Sequence, residues 1–124
     1  MNNKQLGTSF EKCMCEIFAK NGYWVHFISP DNRGAQPIDV IAVKDGRAEV
    51  FDCKTTVNPL FTMKRLEDNQ IMAFDKWIAC GNTMPHVAVL WNSHIYMLPY
   101  VRLRNNGRID LRKEVPDTWL TSAK

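Results

Sequence analysis

Gly34-Ala-Gln-Pro-Ile-Asp-Val-Ile-Ala-Val-Lys-Asp-Gly-Arg-Ala-Glu-Val-Phe-Asp-Cys-Lys54 is the stretch whose reading decides the fold. Two apolar runs, Ile38 to Val43 and Ala48 to Cys53, flank Asp45-Gly46. Asp-Gly favours a type I′ turn, which needs positive φ at both central residues, so the stretch predicts a β-hairpin. With Asp45 and Gly46 as the loop, Lys44 faces Arg47, Val43 faces Ala48, Ile41 faces Val50 and Asp39 faces Asp52. Side chains alternate between the two faces of a strand, so Asp39 and Asp52 share a face with Lys54.

Directly opposed Cβ atoms lie roughly 4.5–5.5 Å apart, and like charges placed there repel. Two readings relieve the repulsion. Both carboxylates are solvated on an exposed edge with Lys54 as an ion-pair partner, or a divalent cation draws them together. Two carboxylates and a lysine on one face can bind Mg²⁺, activate water and steady a phosphate. A β-bulge would shift the register and separate the pair.

The composition sets bounds. With 124 residues, 45% hydrophobic and 23% charged, the chain reads as one domain around one core. A formal net charge of +3 admits an anionic partner such as nucleic acid without requiring one. The apolar runs fall far short of a membrane span, and the first residues lead into no signal-peptide core. A cytoplasmic protein is the expectation. Cys13, Cys15, Cys53 and Cys80 form no Cys-x-x-Cys pair, and His26, His86 and His94 are scattered, which argues for free thiols and against a structural zinc site.

Ahead of the hairpin, Leu6, Phe10, Cys13, Met14, Ile17 and Phe18 recur at helical spacing, and Asn21-Gly22 supplies the stop. Glu11 lies at the rim of that stripe, solvated or reaching a site at the sheet edge. Tyr23 to Ile28 reads as a strand. Ser29 to Pro37 is a loop dense in turn formers, with Arg33 either solvated or placed to meet phosphate. Beyond Lys54, Thr55 to Pro59 leaves the sheet, and a helix is expected from Met63 to Ala79. Its apolar line, Leu66, Ala73 and Trp77, has Gln70 at its centre. A buried glutamine needs partners or costs roughly 1–3 kcal/mol, so Gln70 pairs with backbone or opens the stripe onto the acidic site. Lys64 and Arg65 open the same helix and face a DNA backbone in that reading. Pro85 to Leu90 and His94 to Leu98 are two further strands. The basic tail from Tyr100 forms a hairpin or a helix against the body.

Glu11 on a helix, Pro37-Ile-Asp39, Asp52-Cys-Lys54 and Gln70 on the next helix occur in the order helix, strand, strand, strand, helix, strand, strand. This constellation resembles the PD-(D/E)XK nuclease superfamily. Gly7, Phe10 and Glu11, with Asp68-Asn-Gln70 and Phe74, look most like the RecU-type Holliday junction resolvases and their small phage relatives. The likeness covers roughly Leu6 to Leu98. It implies an α/β, restriction-endonuclease-like core in which helices flank a central mixed sheet, as a single domain over residues 1–124. It also implies a homodimeric, Mg²⁺-dependent endonuclease of four-way DNA junctions, with Mn²⁺ as a substitute, in a bacterial or phage-infected cell. Asp39 and Asp52 would be metal ligands and Glu11 would complete the site. Lys54 would orient the attacking water or stabilise the phosphate, Gln70 would support the site, and Arg33, Lys64 and Arg65 would contact DNA. Alternatives are a nuclease of the same core acting on other DNA, or a DNA-binding module with the fold and no catalysis. The chain departs from the pattern at Asp52, where glutamate is commoner, and at Ile38, which separates Pro37 from Asp39. It also lacks the longer insertion that forms a stalk in RecU-type enzymes, and has only Ser29 to Gln36 there.

Overall fold

The hairpin forms, and the sheet grows on either side of it. The structure, a computed structural model, describes residues 3–28 and 37–119, with side chains from Ser9 onward. Strands β2 (Val40–Lys44) and β3 (Arg47–Thr55) are joined by Asp45 and Gly46, whose φ values are 55° and 74°. Positive φ at both positions is what the Asp-Gly pair was expected to supply. Lys44 opposes Arg47, Val43 opposes Ala48 and Ile41 opposes Val50, as the pattern predicts.

The register departs from expectation at its end. Val40 opposes Phe51, yet the Asp39 N–H donates to the same Phe51 carbonyl at 3.1 Å. Two residues thus meet one, a slip of the bulge kind. Asp39 and Asp52 are not a ladder pair.

Strands β1 (Trp24–Phe27), β5 (His86–Trp91) and β6 (His94–Pro99) complete a five-stranded sheet in the order β1-β2-β3-β5-β6. Neighbours are antiparallel except β3 and β5, which run parallel. A parallel pair needs a crossover, and α2 (Asp68–Ala79) lies in it. The mixed sheet flanked by helices matches the expected fold class.

Helix α1 (Asn3–Lys20) buries Phe10, Met14 and Phe18 against Val40, Ala42, Phe51 and Cys53 on one face of the sheet. Each such side chain contributes roughly 1.5–3 kcal/mol when fully buried. Cys13, read as part of that stripe, is exposed instead. It sits about 100° round the helix from Met14, the centre of the stripe, and so clears the sheet. Gly22, at φ 88°, ends the helix where expected.

The other face carries Val50, Val87 and Val89 against Leu66 and Phe74 of the crossover and against the tail. The tail proves to be both helix and strand. Helix α3 (Tyr100–Asn106) is followed by β7 (Arg108–Asp110), which closes on β4 (Leu60–Thr62) as a separate two-stranded sheet. The Tyr100 hydroxyl donates to Asp75 of α2 at 2.8 Å, and Arg104 joins the same oxygen at 3.0 Å.

The helix expected from Met63 is shorter. A 3₁₀ turn covers Met63–Arg65, Leu66 and Glu67 are extended, and α2 starts at Asp68. Lys64 and Arg65 therefore ride on the turn and not on the helix. No helix among the described residues is long and apolar enough to cross a membrane.

Candidate active site

Where the β2–β3 ladder ends, side chains take over from backbone. The Cys53 N–H points toward β2, beyond the last paired residue, and Asp39 Oδ2 accepts from it at 2.8 Å. The carboxylate stands where the next ladder carbonyl would be. That contact and the slip at Phe51 hold Asp39 beside β3, with only 8% of its surface exposed. The reading of Asp39 and Asp52 as solvated edge positions is overturned, because Asp52 is wholly buried.

Asp52 shares its face of β3 with Val50 and Lys54, under α2. Gln70 leans from the first turn of α2 and donates through Nε2 to Asp52 Oδ1 at 2.8 Å. Its Oε1 accepts from the Glu67 N–H at 3.0 Å and faces Lys54 Nζ at 3.3 Å. One amide thus starts the helix, holds the carboxylate and touches the lysine, so Gln70 pairs with backbone and faces the acidic group at once. Gln70 at N3 reaching back to the residue before the helix closes a capping box. Glutamate stands at the cap where serine, threonine, aspartate or asparagine usually signals it, so the sequence does not mark this helix start.

Lys54 Nζ lies 3.2 Å from Asp52 Oδ2 as an ion pair. The approach lacks hydrogen-bond alignment, and Asp52 Oδ2 is buried with no hydrogen-bond partner. Burial, then the neighbouring Asp39, push the Asp52 carboxyl well above the usual carboxylate range, and Lys54 opposes them.

Glu11 is half-buried on α1. Burial and then Asp39 raise its pKa to about 7, with Lys54 pulling the other way. It therefore feels the site across the edge of the sheet, as its rim position suggested. Cys15, one turn on, is also raised by burial, Glu11 and Asp39. Cys53 is buried beside the carboxylates, which hold its thiol well above the ordinary range once burial has raised it.

Asp39, Asp52, Lys54 and Gln70 are thus brought together, and Glu11 borders them. Lys64 and Arg65 are exposed to one side. Arg65 donates to the Thr55 carbonyl at 2.8 Å, next to Lys54 in the chain. Arg33 lies outside the described residues. Among the described residues no three His, Cys, Asp or Glu side chains are gathered closely enough to hold a metal ion as they stand. The donor chemistry still suits a hard cation. Asp39 and Asp52 offer carboxylate oxygens, and Asp52 Oδ2, buried beside the Lys54 ammonium without an aligned hydrogen bond, has lone pairs that such an ion would take.

No family model matches the chain. It is 26% identical over 102 residues to the crossover junction endodeoxyribonuclease Hjc of Methanocaldococcus jannaschii, across 82% of this chain and 71% of that protein. In structure it is similar to Archaeoglobus fulgidus Hjc, a Holliday junction resolvase from an archaeal hyperthermophile. The TM-score is 0.66, with 13% identity, over 92% of this chain and 97% of the other. Both relatives are Hjc proteins, so the finer likeness to RecU-type enzymes is secondary. The chain is thus similar in sequence to one Hjc protein and in fold to another, in keeping with its resemblance to the PD-(D/E)XK nuclease superfamily.

Proposed function

We propose that the chain is a divalent-metal-dependent endodeoxyribonuclease that cuts phosphodiesters in four-way (Holliday) DNA junctions, acting as a homodimer. The observation that carries this is Asp52. A fully buried carboxylate, with one oxygen bonded by Gln70 and the other met only by the Lys54 ammonium at 3.2 Å, is an acidic group out of water that a cation would satisfy. The Hjc relative, a crossover junction endodeoxyribonuclease, directs the choice of substrate.

Mg²⁺ is the expected cation, with Mn²⁺ as a substitute, and Asp39 and Asp52 would hold it, with Glu11 completing the set. Bound there, it would supply Lewis-acid stabilisation of phosphoryl charge and a more acidic water. The protein's own groups do the positioning. Asp39 is fixed by the Cys53 N–H, and Asp52 is fixed by Gln70. Lys54 carries an ammonium with three donors, of which Gln70 faces one, so donors remain for the scissile phosphate or the attacking water. In-line attack of water would leave a 5′-phosphate and a 3′-hydroxyl. Glu11, with its pKa near 7, can take up a proton at the edge of the site. Arg33, Lys64 and Arg65 would meet the DNA backbone.

The test is cleavage in Mg²⁺ of an immobile four-way junction against a linear duplex of the same sequence, with Asp39→Ala as control. Paired symmetric nicks in the junction alone are expected. Equal cutting of both substrates would remove the junction from the claim. Metal-dependent binding with no cutting would point to a DNA-binding module that has kept the fold.

A further inference from the structure

Beyond Lys54 the chain leaves the sheet through a tight turn, Thr56 to Asn58, and that turn separates two clefts. One, of about 510 Å³, is lined by Thr55, Arg65, Leu90 and Ser93. The other, of about 390 Å³, is bordered by Trp91. Thr56, Val57 and Asn92 belong to both, so the turn and the β5–β6 hairpin tip form the divide. Val57 crowns it with 98% of its surface exposed, the most exposed large apolar side chain among the described residues.

The divide is stiff. Thr56 Oγ1 accepts from the Asn58 N–H at 3.1 Å and donates to the Asn58 carbonyl at 3.0 Å, while Asn58 Oδ1 accepts from the Leu60 N–H at 2.9 Å. Opposite, Asn92 and Ser93 both hold positive φ, 51° and 65°, in a two-residue hairpin turn. A fixed apolar tip of this kind can enter an apolar surface without reordering.

The two clefts differ in chemistry. The first holds the Arg65 guanidinium, bound to the uncharged Thr55 carbonyl and paired with no carboxylate among the described residues. The second carries the half-buried Trp91 ring. Phosphate on one side and a nucleobase on the other is the complement of those walls. Both clefts are open to solvent along their length, so a strand can lie in each.

We propose that the Thr56–Asn58 turn is a wedge that enters DNA at a branch point, with Val57 against the exposed base faces. One strand then runs past Arg65 toward Lys54, and the diverging strand passes over Trp91. Apolar side chains inserted between base steps act in this way in proteins that kink DNA. The proposal rests on the nuclease reading and adds the element that distinguishes branched DNA from duplex.

The test measures binding of the full-length Asp52→Asn protein, in which cleavage is blocked, to a four-way junction and to a duplex of the same sequence. The junction carries 2-aminopurine at its branch point. Val57→Asp is expected to weaken junction binding on the order of tenfold, with a much smaller change on duplex, and to abolish the 2-aminopurine response. Arg65→Gln should lower the salt slope by about 0.9, the value of one phosphate contact. Val115→Asp, at another exposed valine, is the control and should change neither. Equal losses on both substrates, or an unaltered 2-aminopurine signal in Val57→Asp, would overturn the wedge. Wild-type cleavage, assayed in parallel, separates the two failures. If the wild type cuts junctions and Val57→Asp binds them normally, only the wedge is lost. If the wild type neither binds nor cuts junctions, the nuclease reading falls and the wedge with it.

Discussion

The same field shifts Asp52 and Glu11 in the same direction. Asp52 has no solvent contact, and burial with Asp39 beside it disfavours its charge more than Lys54 favours it. Asp52→Asn removes an acid whose charged form burial disfavours, while keeping the shape. At pH 8 without metal the variant should melt above the wild type. Added Mg²⁺ should then raise the melting temperature of the wild type only, by the mass action of a ligand that binds the folded state. A variant that is also stabilised by Mg²⁺ would move the metal away from Asp52. Glu11 gives a second prediction, with a definite sign. Its folded pKa is about 7 against an ordinary 4.5, so the folded state holds the proton more tightly than the unfolded one. Stability is undiminished below about pH 4.5 and is lost as pH rises through about 7. Asp52 contributes in the same direction. Metal-free protein should therefore lose melting temperature between pH 5 and 8, and Glu11→Gln should flatten that fall without removing it. A slope identical in the variant would place the titration elsewhere.

At the scale of elements, the organising piece is the first turn of α2. Gln70 satisfies the Glu67 N–H and Asp52 Oδ1 together. Gln70→Ala leaves a buried carboxylate oxygen unbonded and frees the helix start, at a cost of about 1–3 kcal/mol. Urea unfolding should report that loss, and cleavage should drop with it, since Asp52 and Lys54 are no longer aligned. Unchanged stability would mean water replaces the amide. The same turn shows what a sequence can carry. The hairpin was legible because Asp45-Gly46 encodes its own geometry, and Gln70 stood out because a polar residue in an apolar line demands partners. The slip at Asp39 was not legible. It depends on where the ladder with Phe51 runs out and on a carboxylate standing in for a carbonyl, and neither is a matter of periodicity. The start of α2 was missed because Met63 to Leu66 has helical composition but extended backbone at Leu66. The β4–β7 pair escaped because each strand has only three residues and its partner lies far along the chain.

For the whole molecule, the sheet joins one layer to the other through the site. Asp39 leads into β2, whose Val40 packs under α1, while Asp52 meets α2, so the hairpin that holds both carboxylates is packed by a helix layer on each face. Such a centre gives one chain one site. Resolving a junction takes two cuts in strands of like polarity, and two-fold symmetry is the economical way to place two identical sites. The expected species is accordingly a dimer of 14.3 kDa chains. Sedimentation equilibrium should show it at micromolar concentration without DNA. A functional check follows from mixing wild type with Asp52→Asn, unfolding and refolding the chains together, and presenting a plasmid with an extruded cruciform. Wild-type dimers make both cuts within one binding event and linearise the circle, whereas mixed dimers make one cut and leave a nicked circle. Nicked circles that accumulate as the variant fraction rises would establish two sites acting in one complex. Linear product that declines only in proportion to the wild-type fraction, with no nicked species, would mean that a single chain makes both cuts in turn.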